Sequence, residues 1–71
     1  MKIYDYTIEG YKFDSEEQFI EEFRDIVNCE YILEESQEDY IKYTRFVDSY
    51  KGYELYYDYG ADYYFIADEE D

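Results

Sequence analysis

The side chains able to do chemistry in this 71-residue chain are carboxylates and phenols, and little else. There is no His, which removes the commonest general base and the usual activator of a Ser or Cys nucleophile. The single cysteine, Cys29, sits beside Glu30, a negative neighbour that disfavours the reactive thiolate. Gly10, Gly52 and Gly60 read as turn residues, and no glycine-rich phosphate loop exists. Carboxylates are hard oxygen ligands, yet Asp58-Tyr59-Gly60-Ala61-Asp62 lacks the alternation and the twelfth-position Glu of a calcium loop. The expectation is a protein that is not an enzyme, with no cofactor and no dedicated metal.

What remains is charge in quantity. Twenty-one Asp and Glu stand against six Lys and Arg, a formal net charge of −15. The acids fall in three clusters. Glu17, Glu21 and Asp25 are spaced i, i+4, i+8 with Glu22 alongside, where like charges one turn apart mildly oppose a helix. Glu30, Glu34, Glu35, Glu38 and Asp39 form a second cluster. Asp58 and Asp62, with the tail Asp68 to Asp71, form the third. Any one of these alone reads as a solvated face, but three with so few cations between them read as a binding surface. Seven tyrosines lie between Tyr50 and Tyr64, about half of them assigned to a core. Tyr56 and Tyr64 are assigned to the sheet face opposite Leu55 and Phe65, as flat contact area with a π-face for Arg.

The elements that position these groups follow from periodicity. Residues 3 to 8 alternate as a strand with Tyr4, Tyr6 and Ile8 on one face, Glu9-Gly10 turns, and residues 11 to 13 return as a short strand. Ser15 and Gln18 make a capping box, and Phe19, Ile20, Phe23, Ile26 and Val27 form one apolar stripe. A helix over about 15 to 28 follows. Residues 29 to 35 are ambiguous between helix and strand. Ser36 as N-cap, Tyr40, Tyr43, Val47 and Tyr50 at helical spacing, and Gly52 as C-cap favour a second helix, although residues 40 to 47 also alternate as a strand. Tyr53, Leu55, Tyr57 and Tyr59 form one strand face; after a Gly60-Ala61 turn, Tyr63, Phe65 and Ala67 share a face on the return. Residues 68 to 71 are expected to fray. The architecture expected over 1–71 is one small α+β domain: an antiparallel sheet of two hairpins with one or two helices packed on it.

Electrostatic scale then points to a partner. A compact chain of this length has a radius of gyration of roughly 11 Å and a diameter of about 28 Å. The same length of B-form duplex carries about 16 phosphate charges. A chain that is 46% hydrophobic and 25% aromatic can fold while carrying such charge. In size, acidity and aromatic content it resembles the DNA-mimic inhibitors encoded by phages and mobile elements: anti-CRISPR proteins, antirestriction proteins and uracil-DNA glycosylase inhibitors. The resemblance spans the composition of the whole chain and carries no site residue over. It implies a basic, DNA-binding partner, first a type II CRISPR effector and second a restriction nuclease, with an antitoxin or immunity-type inhibitor of a basic toxin as the competing class. Direct nucleic-acid binding and anionic membranes are disfavoured by repulsion. A lone cysteine and the absence of an apolar leader point to the cytoplasm, and the resemblance implies that of a bacterial host. Self-repulsion opposes compaction, so moderate salt should raise the thermal midpoint of the free protein; a midpoint that falls with added salt contradicts this.

Overall fold

Ile3 to Ile8 do alternate as expected, within strand β1 (Lys2–Glu9), and the capped stripe that follows forms helix α1 (Glu16–Asn28). The computed structural model describes residues 2–29 and 43–68, excepting the side chains of residues 2 and 5. Three further strands complete the described elements: β2 (Thr44–Tyr50), β3 (Tyr53–Asp58) and β4 (Tyr63–Asp68). They form a four-stranded antiparallel sheet in the order β1-β4-β3-β2. The chain leaves β1 on one edge, forms α1 on one face, enters the opposite edge as β2, and meanders back until β4 lies beside β1. The fold is α+β, with the two hairpins formed by β2–β3 and β3–β4.

The helix starts where Gln18 Oε1 reaches back to the Ser15 amide at 3.2 Å, and Glu16 and Glu17 occupy its first turn, where the dipole favours anions. Its apolar stripe buries Phe19, Phe23 and Ile26 against Ile8, Leu55, Tyr64 and Ile66. Phe19 lies nearly parallel to Tyr64 with ring centroids 4.1 Å apart, and Phe13 meets Phe19 edge-on at 5.0 Å. Tyr4, Tyr6, Tyr53 and Tyr57 extend this core along the same sheet face.

Three expectations are corrected. Residues 11 to 13 are not a strand: Lys12 N–H closes a turn on Glu9 C=O, and the Gly10 amide donates to Asp62 C=O at 3.0 Å. β1 pairs instead with β4, which offers a longer apolar ladder. A Cβ on Gly10 would lie 2.1 Å from Asp62 Oδ1, so glycine is what lets the end of β1 close on the β3–β4 turn. Second, residues 44 to 50 are strand rather than helix; the part of that expected helix before residue 43, like the ambiguous stretch 30 to 35, lies outside the described residues. Lys51 (φ 52°) and Gly52 (φ 87°) form the two-residue hairpin turn with positive φ at both positions, not a helix cap. The helical spacing of Val47 and Tyr50 has a local cause. Phe46 faces Tyr56 while Asp48 faces Leu55, so β2 carries one extra residue there, and residues three apart come to share a face.

Third, Leu55 pairs with Ile66 and Tyr57 with Tyr64, so Tyr64 and Ile66 face the helix while Phe65 joins Tyr56 on the far face. Directly opposed residues share a face, and the loop that pairs Asp58 with Tyr63 fixes this parity. Phe23 is fully buried at the centre of the core. Truncation to Ala should cost about 3–5 kcal/mol, enough in so small a domain to abolish a cooperative thermal transition at neutral pH. A Phe23→Ala variant melting like the parent would contradict this packing.

Candidate functional site

The four cations whose side chains are described are gathered along the seam between helix and sheet. Arg24 on α1 makes a forked pair with Asp48 on β2, at 3.1 and 3.3 Å. Arg45 on β2 makes a second fork with Glu16 at the helix start. Lys12 reaches Glu22 at 2.9 Å, and Lys51 donates to Asn28 Oδ1 at 2.7 Å beside the helix end. Each of the four also lies over an aromatic ring: Arg24 and Lys51 over Tyr50, Arg45 over Tyr57 and Lys12 over Phe13, all 5.2–5.3 Å from the centroid. The hydrogen bond to its carboxylate partner raises the pKa of Lys12, Arg24 and Arg45 alike. Glu16 is held below its ordinary range, chiefly by the Arg45 hydrogen bond and also by the Tyr64 hydroxyl that donates to it at 3.1 Å. Its contribution to stability is therefore present at neutral pH and lost as acid titrates it through that depressed value.

With these four cations on the seam, the outward side of α1 is left anionic among the described residues. Glu17, Glu21 and Asp25 are exposed and have no ion pair among the described residues. Glu22 differs from them: it is half-buried and engaged by Lys12. From Glu17 to Asp25 the axial rise is about 12 Å, carrying three carboxylates on one side. One strand of B-DNA carries three to four phosphates over roughly the same rise. Asp14, exposed just before the helix, extends the row toward the loop.

The other expected site residues divide. Glu30, Glu34, Glu35, Glu38 and Asp39 lie outside the described residues. Asp58 is only 6% exposed and serves the β3–β4 turn, its Oδ1 accepting the amides of Gly60 (2.9 Å) and Ala61 (3.0 Å). Such side-chain-to-backbone closure is what Asp supplies in turns. Asp62 is exposed, adopts φ 59°, and accepts the Tyr57 hydroxyl at 2.7 Å, a bond that raises the Tyr57 pKa. Asp68 accepts the Tyr4 hydroxyl at 3.1 Å, and the rest of the tail lies outside the described residues. Tyr56 does lie on the far sheet face, half-buried, stacked on Phe65 and donating to Glu54. Tyr64 is a core residue and not a contact residue, because strand register turns it onto Phe19.

Among the described residues the exposed large aromatics are different ones: Tyr11 (79%), Tyr43 (57%), Tyr59 (57%) and Phe46 (53%). Tyr59 was expected to continue the β3 face, but it lies in the turn beyond the strand. The Gly60-Ala61 signal next to it was the available clue. Among the described residues no group of three or more His, Cys, Asp or Glu is arranged to hold a metal, and no helix is long and apolar enough to cross a membrane. Comparison with protein-family models, with curated proteins and with solved structures found no match.

Burial, followed by the bond to Glu16, pushes the Tyr64 hydroxyl up to about 12. The folded chain therefore keeps a proton that the unfolded chain releases near pH 10, and stability falls as pH rises from there toward 12. Tyr64→Phe removes this titration, so the variant should lose less stability than the parent over that interval, measured by denaturant midpoints against pH. Parallel losses in the two proteins would place Tyr64 outside the core.

Proposed function

We propose that the protein is an acidic DNA mimic that occupies the positively charged DNA-binding site of a bacterial defence nuclease. One observation carries this reading: the four cations with described side chains are consumed on the helix–sheet seam while Glu17, Glu21 and Asp25 stand in line on the outward face of α1. A net charge of −15 on a body 32 Å long compares with about 19 phosphates on the same length of duplex. Carboxylates can engage the Lys and Arg that hold a DNA backbone, and Arg forks onto a carboxylate as it does onto a phosphate. Long-range attraction would also speed the encounter.

Among basic clefts, that of a type II CRISPR effector is the leading target, since it holds duplex and heteroduplex in a cationic channel and reads its short flanking motif with Arg. Restriction nucleases come next. An antitoxin-like role against a basic toxin differs in one consequence: its binding would not compete with DNA unless the toxin itself binds DNA. In each case the partner is a basic protein in the host cytoplasm, the chain does no catalysis, and repulsion keeps it off nucleic acid and anionic membranes.

The test is a competition gel-shift with purified candidate nucleases, their DNA and the full chain. Displacement of DNA should weaken steeply with salt. Glu21→Lys combined with Asp25→Lys should weaken inhibition by about tenfold or more while leaving the circular dichroism spectrum unchanged. Unaltered inhibition by that folded variant removes α1 from the contact, and failure to displace DNA from any nuclease ends the proposal.

A further inference from the structure

Among the described residues, three of the four exposed large aromatic side chains lie at one end of the sheet. Tyr43 precedes β2, Tyr59 sits in the β3–β4 turn, and Tyr11 follows β1. Backbone bonds hold these loops together: the Tyr59 amide donates to Tyr43 C=O at 2.9 Å, and the Gly10 amide to Asp62 C=O at 3.0 Å. The Tyr43 and Tyr59 rings form an open V, centroids 6.0 Å apart and planes at 56°. Four strands span about 14 Å, so the three rings make a short row across the end of the sheet. The hydroxyls of Tyr11, Tyr43 and Tyr59 have no partner among the described residues.

The same end carries exposed acids: Glu9, Asp14, Glu17 and Asp62. The helix start belongs to this end because Glu16 is tied to Arg45 and Tyr64, near the first residues of β2 and β4. The described cations near it are spoken for, Arg45 by Glu16 and Lys12 by Glu22. Elsewhere in the molecule every cation with a described side chain rests on a ring while bonding an acceptor. The Tyr43–Tyr59 pair offers the same kind of ring surface at an end that carries exposed carboxylates, and no cation with a described side chain rests on it.

We infer that this end of the sheet is a docking surface for an arginine-presenting segment of a basic protein partner, with a guanidinium taken onto the Tyr43–Tyr59 pair and the segment drawn in by the exposed carboxylates of that end. The inference rests on the proposed basic partner and names where and how its arginines are read. Arginine fits better than lysine because its planar, weakly hydrated guanidinium stacks on a ring and still donates in plane, whereas an ammonium is a strongly hydrated point charge. A stacked base is excluded by the phosphate it would bring with it.

The probes are two nine-residue peptides of equal charge, alternating Arg-Gly and Lys-Gly, titrated into the full chain at fixed salt. The wild type should bind the arginine peptide about five- to tenfold more tightly. Tyr43→Leu with Tyr59→Leu should bring that ratio to about one and leave affinity for the lysine peptide unchanged. Tyr11 is so exposed that Tyr11→Ala cannot unfold the chain, and it should lower the ratio part of the way. Neutralising α1 with Glu17→Gln, Glu21→Gln and Asp25→Gln should weaken both peptides equally and keep the preference. Equal binding of the two peptides by the wild type overturns the inference, as does a preference surviving in the folded double variant or in Tyr11→Ala at full strength. Tighter binding of an oligothymidylate than of the arginine peptide overturns it too. Should the double variant unfold, the wild-type ratio and Tyr11→Ala decide. If no nuclease is displaced from DNA, the decoy reading fails while an arginine preference still stands, so the two failures are told apart.

Discussion

The scarcity of positive charge constrains everything else in this molecule. With six cations against twenty-one acids, each Lys or Arg placed at random would neutralise some part of the surface. The four whose side chains are described are instead placed where α1 meets the sheet and its loops, each bonded to an acceptor and seated over a ring. Exposed pairs of this kind contribute little stability individually. Their larger effect is on position: they fasten both ends of the helix to β2 and keep its apolar stripe on the sheet. The outward side of the helix is anionic as a direct consequence.

Aromatic residues make such a charge tolerable. Phe19, Phe23 and Tyr64 with Leu55 and Ile66 supply a core of few but large side chains, and the tyrosines at its margin keep their hydroxyls bonded to Asn28, Asp62, Asp68 or Glu16. Each such bond lets a ring be buried or half-buried while the carboxylate beside it, or the Asn28 amide oxygen, accepts from the phenol without a neutralising charge. This is a way to combine acidity with folding that leucine could not provide. Phenol and carboxylate are thus coupled throughout, in the interior as structure and at the end of the sheet as exposed surface.

Carboxylates that look alike in sequence do unlike work. Asp58 closes a turn on two amides, Glu16 anchors an arginine and a buried tyrosine, and Glu22 takes Lys12, whereas Glu17, Glu21 and Asp25 touch no cation among the described residues. That last group is the aligned row open to an outside partner on α1. Counting acids therefore overstates the binding surface, and the proposed role rests on the subset that remains exposed and aligned.

The sequence alone determined β1, the capped helix with its buried stripe, the α+β class and the acidic row on α1, because each depends on periodicity and caps within a dozen residues. Even the face of Tyr64 was implicit, since a turn centred on Gly60-Ala61 pairs Leu55 with Ile66. Tertiary structure alone decided the rest. β1 pairs with β4 across most of the chain, the extra residue in β2 makes a strand look helical from Val47 to Tyr50, and Asp58 is withdrawn into a turn. Exposure of a tyrosine or an acid is set by what lies opposite it in space, and composition and spacing carry no record of that.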